Sequence, residues 1–180
     1  MPAVLNRTLT AILAAALPAS AMAAAAEPQC LTAQEFTAVS TFALPGVIRG
    51  AAQRCSAILP KDAFLHSQSE NLAKRYAAGR DRSWPQAKAA FIKIGGGADP
   101  QAANLLRAMP DESLKPFIES AVSSMVGQQL SADRCSSMDR LVMLLSPLPA
   151  ESTAEVISLA AGLGARTGQA RVGKLSICKA

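Results

Sequence analysis

Residues that begin and end helices recur along the whole chain, and no segment has the pattern of a strand of any length. Thr32 and Glu35 have the spacing of a capping box, in which each side chain bonds an otherwise unpaired backbone N–H at a helix start. Trp84, Phe91 and Ile94 recur at helical spacing, beside a proline that suits a first helical turn. The sequence therefore predicts an all-α fold, a compact bundle of helices.

Prolines and glycines set the predicted helix boundaries. We predict seven or eight short helices, the first ending at the Pro45-Gly46 pair and the fourth at the Gly95-Gly96-Gly97 run. The helix that follows Ser131 carries Cys135 and several large apolar residues, and we expect it to be the most buried. The other helices are predicted to end near Ile58, Ala78, Met109, Leu130 and Leu163.

Residues 1–23 have the organisation of a cleaved export signal peptide. Arg7 precedes a short apolar run, Pro18 breaks the run, and Ala21 and Ala23 supply the small residues of a cleavage site. A membrane-spanning helix needs roughly 20 apolar residues, about twice the length of this run. We therefore expect cleavage after Ala23 and a mature protein that is periplasmic or secreted.

The mature chain, residues 24–180, has the length of one domain. A chain of this size buries roughly 70% of the surface that it exposes when unfolded, which is enough for one hydrophobic core. Much of its apolar content is alanine, whose small side chain favours closely packed helices. We expect a single all-α domain with a hinge at 95–97.

Four cysteines can form two disulfides in an exported protein. No pair has the Cys-x-x-Cys spacing of a zinc site, although zinc binding and four free thiols remain as alternatives. Cys30 and Cys55 flank the hairpin predicted at Pro45-Gly46, and Cys135 and Cys178 flank the last predicted hairpin. We therefore expect the local pairs Cys30–Cys55 and Cys135–Cys178.

His66 is the only histidine, so any histidine-dependent chemistry must use it. Asp62, His66 and Glu70 are spaced by four residues, which on one helix places a carboxylate on each side of the imidazole. Such a carboxylate can orient a general base or help to hold a metal. The apolar residues of the segment lie on another face, so we favour a solvated surface here. A hydrolase or metal-dependent enzyme centred on His66 is the alternative.

Other catalytic and cofactor motifs have no support in the sequence. The Gly-x-Ser-x-Gly motif of serine hydrolases is absent, and so is the Gly-Lys-Ser/Thr of a phosphate loop. The glycines at 162, 164 and 168 lack the spacing and the preceding strand of a dinucleotide-binding loop. We assign no catalytic residue, no cofactor and no metal ligand.

Residues 74–93 form a basic segment in which Asp81 is the only acid and aromatic side chains alternate with cations. This composition can bind the phosphates of lipid, lipopolysaccharide or nucleic acid. It also fits a core-facing aromatic stripe with solvated charges on its opposite face, which is the interpretation that we favour. The candidate anionic-partner surface has six residues: Lys74, Arg75, Arg80, Arg82, Lys88 and Lys93.

These observations favour an exported cell-envelope protein that acts without catalysis, through contacts with other molecules. Its hypothetical partner is an anionic envelope component or another protein, bound through the basic segment. Two alternatives come from other classes: the enzyme centred on His66, and a small helical carrier of an apolar ligand. A closed cavity lined by Leu, Met and Phe would favour the carrier.

Overall fold

The computed structural model describes residues 30–166, 171–172 and 175–178. The predicted export signal and its cleavage site lie outside the described residues. Most of the described chain is helical, which confirms the predicted all-α bundle. The eight α-helices within it are α1 (Ala33–Cys55), α2 (Phe64–Ser67), α3 (Ser69–Ala77), α4 (Trp84–Ala98), α5 (Pro100–Ala108), α6 (Asp111–Gln129), α7 (Cys135–Leu145) and α8 (Ala150–Arg166).

Two 3₁₀ turns lie between helices, and a short two-stranded ribbon follows α8. Two single 3₁₀ turns lie at Arg80–Arg82 and Ala132–Arg134. Two strands of two residues each, β1 (Arg171–Val172) and β2 (Leu175–Ser176), pair antiparallel. This ribbon is too short to change the all-α character of the fold.

α1 begins at the predicted capping box. The Thr32 N–H donates to the Glu35 carboxylate at 2.8 Å, and the Glu35 N–H donates to Thr32 Oγ1 at 3.2 Å. Lys93 of α4 donates to the same carboxylate at 3.0 Å. These contacts satisfy free backbone donors at the helix start and fasten it to α4.

α1 continues through Pro45, so the predicted break there is wrong. A proline inside a helix lacks the N–H that would bond the carbonyl four residues back, here Thr41, at a cost of about 3 kcal/mol. Burial outweighs this cost because α1 is the central helix, packed against α3, α4, α6 and α8. Phe42 and Ile48, on either side of the proline, both lie in the core.

Two glycines let α1 approach α6 closely. A Cβ added at Gly46 would lie 2.8 Å from the Glu119 carbonyl oxygen, and one at Gly50 would lie 2.4 Å from the Ser123 carbonyl oxygen. The two glycines are four residues apart and share one face of α1. Any larger residue there would push apart the two longest helices of the described chain.

The Gly95-Gly96-Gly97 run lies inside α4, which corrects the predicted helix end at this point. A Cβ at Gly95 would lie 3.0 Å from Leu106 Cδ1, and one at Gly96 would lie 3.2 Å from Ala103 Cβ. The small residues therefore give α5 a flat surface to pack against. A hinge at 95–97 stays a prediction.

Phe42 of α1 lies in a core cluster with Trp84 of α4 and Ile118 of α6. The ring centroids of Phe42 and Trp84 are 4.7 Å apart. The Arg80 guanidinium lies over the Phe42 ring, 5.2 Å from its centroid. The aromatic stripe of the basic segment therefore faces the core, as the favoured interpretation of that segment predicts.

Two disulfides are present, but not between the predicted partners. Cys30 is bonded to Cys178 and Cys55 to Cys135, with Cα–Cα distances of 5.0 and 5.5 Å. The local pairs Cys30–Cys55 and Cys135–Cys178 are wrong because α1 has no turn at Pro45. A continuous helix of 23 residues is about 35 Å long, so Cys30 and Cys55 lie near its opposite ends.

The observed disulfides connect parts of the chain that are distant in sequence. Beside the Cys30–Cys178 bond, Leu31 and Ile177 form a parallel bridge, and the Cys178 N–H donates to the Leu31 carbonyl at 2.9 Å. Cys55 and Cys135 are both fully buried. Their bond fastens the end of α1 to the start of α7.

Candidate functional site

The six cations of the basic segment are mostly engaged with acids of the same chain. Arg75 donates to the backbone carbonyl of Ser146, at the end of α7. The other five form ion pairs, four of them with acids on other helices. These pairs are Lys74–Glu70, Arg80–Glu119, Arg82–Glu151, Lys88–Asp111 and Lys93–Glu35.

Asp111 of α6 accepts hydrogen bonds from two residues of the basic segment. Lys88 Nζ donates to one carboxylate oxygen at 2.6 Å, and Trp84 Nε1 donates to the other at 2.7 Å. The bond from Lys88, followed by the bond from Trp84, holds the pKa of Asp111 below its ordinary value. Both contacts connect the first two turns of α4 to the start of α6.

These pairs limit what the basic segment presents to solvent. The side chains of Lys74 and Arg82 are 71% and 82% exposed, whereas those of Lys88 and Lys93 are 27% and 25% exposed. Carboxylates are interspersed among all four. Binding of an anionic partner by this segment stays a prediction, and its accessible cations are few.

Glu119 of α6 is held between two arginines, a contact that the sequence analysis missed. Arg49 of α1 donates to one carboxylate oxygen and Arg80 to the other. Arg49 also bonds Glu70 of α3 at 3.1 Å. The bond to Glu70 is the largest cause of a raised pKa of Arg49. The network connects α1, α3 and α6 through charged side chains.

The predicted stripe of Asp62, His66 and Glu70 does not lie on one helix. His66 lies in the single-turn α2, Glu70 lies in α3, and Gln68 separates the two helices with a non-helical backbone. Glu70 bonds Arg49, and the pKa of Glu70 is lowered chiefly by that bond. His66 is exposed. These contacts give no support to a His66-centred active site.

In residues 30–166, 171–172 and 175–178, no group of three or more His, Cys, Asp and Glu side chains is placed to hold a metal ion. Within the same ranges, no helix has the length and apolarity needed to cross a bilayer.

The first site with a distinct shape is a groove along α1, α4 and α8, with a volume of about 680 Å³. Its lining is rich in hydroxyl and carboxylate groups and has small apolar residues between them. Arg82 lies at the rim, where it bonds Glu151 at 2.8 Å. The lining residues are Ala33, Gln34, Thr37, Ala38, Thr41, Arg82, Ser83, Gln86, Glu151, Glu155, Ser158 and Leu159.

The hydroxyls of this groove donate their hydrogens to backbone carbonyls. Thr37 Oγ1 donates to Ala33 O and Thr41 Oγ1 to Thr37 O, both at 2.9 Å. Ser83 Oγ donates to Arg80 O at 2.8 Å. A hydroxyl has a single hydrogen, so these groups can only accept a further hydrogen bond. We call the groove with the lining residues given above the acceptor groove.

The second distinct site is the outer face of α7. Met138 and Val142 pack against core clusters, and Asp139 accepts from the Leu65 N–H at 2.6 Å. The opposite side is apolar and exposed: Leu141, Met143 and Leu144 are 51%, 45% and 63% exposed. The prediction that α7 is the most buried helix is wrong, because α1 has the central position and α7 lies at the edge of the bundle.

Arginines accompany this exposed apolar face. Arg134 precedes α7, Arg140 lies on its outer side, and the guanidinium of Arg75 bonds Ser146 at its far end. Among the described residues, none of the three has a carboxylate within ion-pair distance. The nearby acids are Asp133, which precedes the helix, and Asp139, which faces α2. We call Leu141, Met143 and Leu144, with Arg75, Arg134 and Arg140, the α7 face.

No protein-family model, curated protein or solved structure matches this chain. The two sites therefore rest on the geometry of the chain itself.

Neither site was predicted from the sequence. Arg75 is the only residue of the α7 face among the predicted site residues, and Arg82 is the only residue of the acceptor groove among them. The run of apolar residues in α7 signals an amphipathic helix, but its pattern does not say which side meets the core. The groove has no sequence motif because its residues come from three helices and a turn.

Proposed function

We propose that this protein is an exported, non-catalytic binding module of the cell envelope, and that the α7 face docks on an anionic lipid surface. The observation that carries the proposal is the combination of three exposed apolar side chains with three arginines that form no ion pair in the described chain. A surface of this composition suits a membrane interface, where apolar groups enter the headgroup region and cations meet lipid phosphates.

The export part of the proposal rests on two features. The N-terminal sequence has the organisation of a signal peptide, and two disulfides are present, which persist mainly in oxidising compartments outside the cytosol. Both features support a periplasmic or secreted location.

The geometry of α7 supports its role as the docking element. The helix spans Cys135–Leu145, about 16 Å, so Arg134 and Arg75 contact its two ends with the exposed leucines between them. Leu141 and Leu144 are three residues apart and lie on one side of the helix. The Cys55–Cys135 bond fixes the start of α7, so the face needs little ordering on binding.

The α7 face replaces most of the basic segment as the preferred surface. The side chains of Lys74 and Arg82 in that segment are 71% and 82% exposed, and each is paired with a carboxylate. Arg134 and Arg140 have no such pair in the described chain. An unpaired cation loses less on meeting a phosphate, because no internal ion pair must be given up.

Co-sedimentation with lipid vesicles tests the proposal. The mature protein should bind phosphatidylglycerol vesicles more tightly than phosphatidylcholine vesicles, and the difference should shrink as salt is raised. Each cation near an anionic membrane contributes about 1 kcal/mol, so the double variant Arg134→Gln, Arg140→Gln should bind roughly thirtyfold more weakly. The double variant Leu141→Gln, Leu144→Gln should lose about tenfold or more through lost apolar contact.

The matched control removes the same charge from the basic segment. The double variant Lys74→Gln, Arg82→Gln changes two exposed cations and should weaken binding by less than about threefold, as expected for charges outside the contact. If this control loses as much affinity as the Arg134 and Arg140 variant, or if the unaltered protein binds neither kind of vesicle, the proposal is wrong.

A further inference from the structure

The acceptor groove has a chemistry different from that of the α7 face, and it carries an independent inference. Its hydroxyls have committed their hydrogens to backbone carbonyls, as Thr37, Thr41 and Ser83 show. Ser158 Oγ likewise donates to Ala33 O at 3.3 Å. Thr37 and Ser83 are partly exposed, so their oxygens can accept a hydrogen bond from a bound group, whereas Thr41 and Ser158 are buried.

The carboxylates of the groove also need a donor from a bound group, since an ionised carboxylate can only accept hydrogen bonds. Glu151 is bonded by Arg82 at the rim. Glu155 is exposed and has no hydrogen-bond or ion-pair partner among the described residues. The charged groups of the lining are therefore two acids and one arginine, and the arginine is engaged with one of the acids. The amides of Gln34 and Gln86 also line the groove and can either donate or accept.

The register of the helices places Glu155 beside the hydroxyls. Ser158 of α8 bonds the Ala33 carbonyl at the start of α1. Glu155 lies one turn before Ser158 in α8, and Thr37 lies one turn after Ala33 in α1. Because the two helices run antiparallel here, Glu155 and Thr37 lie at the same level. The Glu155 carboxylate thus lies beside the Thr37 hydroxyl, which can accept a further hydrogen bond but cannot donate one.

We propose that the acceptor groove binds an organic cation that carries N–H donors, a primary ammonium or a guanidinium group on an apolar stem. The cationic head bonds Glu155 and the hydroxyl oxygens, and the stem lies against Ala38 and Leu159, which also line the groove. Two sources share this chemistry, a free polyamine and a Lys or Arg side chain of a peptide.

Isothermal titration of the mature protein distinguishes these sources and tests the site. Spermidine serves as the free polyamine, amidated trilysine as the peptide, and tetramethylammonium as a cation without N–H donors. At least one of the first two should bind, and the one that binds more tightly identifies the source. Tetramethylammonium should bind at least about tenfold more weakly, because it cannot donate to the hydroxyl and carboxylate oxygens.

Two variants locate the binding. Glu155→Gln should weaken binding by about tenfold, the size expected for one charge-assisted hydrogen bond. Thr37→Val keeps the side-chain shape but removes a partly exposed acceptor, and it should weaken binding by about threefold or more. The control Glu112→Gln removes the same charge from an exposed position on α6, outside the groove, and should leave the affinity unchanged.

Several outcomes would overturn the proposal. One is equal loss of affinity in Glu112→Gln and Glu155→Gln, which would mean a diffuse charge effect. Another is tetramethylammonium binding as tightly as spermidine. A third is binding of acetate without binding of any amine, since the first-turn N–H groups of α1 at Ala33 and Gln34 would then dominate the groove as donors.

Discussion

Cys55 is bonded to Cys135, and the bond fastens the last turn of α1 to the first turn of α7. It closes a loop across a sequence separation of 80 residues. In the chain-entropy model a loop of this length stabilises the folded state by about 4.5 kcal/mol, before any strain is counted. The same bond holds α7 at the edge of the bundle, where its outer side stays exposed.

Peptide mapping without reduction tests the disulfide pairing. We expect one linked pair of peptides that contains Cys55 and Cys135, and a second that contains Cys30 and Cys178. Replacing Cys55 and Cys135 together by alanine should lower the free energy of unfolding by about 2 to 5 kcal/mol. Recovery of a peptide pair that links Cys30 to Cys55 would contradict the continuous α1.

The charge network at Glu119 predicts a loss of stability when its central acid is neutralised. Glu119→Gln leaves the guanidinium groups of Arg49 and Arg80 near each other without a full counter-charge. Because the side chains of Glu119 and Arg80 are 17% and 19% exposed, we expect a loss of about 2 kcal/mol, below the value for a fully buried pair. Urea denaturation measures it.

The matched change for this test is Glu112→Gln on the same helix. Glu112 is exposed, and its neutralisation should change the free energy of unfolding by no more than about 0.5 kcal/mol. Equal losses in the two variants would mean that the network at Glu119 adds nothing to stability.

The close approach of α1 and α6 predicts opposite effects for two glycine substitutions. Gly50→Ala would bring a Cβ to 2.4 Å from the Ser123 carbonyl oxygen, so the helices must separate, at a cost of about 1 to 3 kcal/mol. Gly162→Ala in α8 meets nothing within 4 Å and should add about 0.5 to 1 kcal/mol through better helix propensity. Denaturant midpoints that move in the same direction for both variants would contradict this packing.

Acid should destabilise the protein in a way that can be traced to Asp111. Bonds from Lys88 and Trp84 lower the pKa of Asp111 from its ordinary value of 3.8. The unfolded chain therefore binds a proton at this position at a higher pH than the folded chain does. The stabilisation by this ion pair is complete above pH 3.8 and is lost as the pH falls through the lower folded-state pKa of Asp111.

Melting temperatures across pH check this expectation. The gap between the unaltered protein and Asp111→Asn should be widest at neutral pH and should narrow below pH 3.8, as the pH falls through the lowered folded-state pKa of Asp111. A gap that stays constant from neutral to acid pH would show that the ion pair is not its cause.

Local features of the fold could be predicted from the sequence, because they depend on neighbouring residues. The capping box at Thr32 and Glu35 and the apolar stripe through Trp84 are examples. The two wrong helix ends have a common reason. Pro45 and the glycines at 95–97 interrupt isolated helices, but here tertiary packing of α1 and of α4 against α5 outweighs the local preference.

The site could be predicted only in part, since it depends on contacts between distant residues. The sequence identified the basic segment but not its carboxylate partners, which come from α1, α3, α6 and α8. The wrong disulfide pairing followed from the wrong break at Pro45. The side of α7 that packs against the core could not be predicted either. Leu141 and Val142 are both apolar, but Leu141 is exposed and Val142 packs against the core.

The most direct test of the proposed lipid-docking face is a nuclear magnetic resonance measurement with phosphatidylglycerol vesicles that carry a spin-labelled headgroup. Only residues near the lipid surface lose backbone amide signal. We predict the greatest loss at Leu141, Met143 and Leu144, and little loss over residues 84–93. Greatest loss over residues 80–93, or uniform loss along the chain, would contradict the assignment of the α7 face as the docking surface.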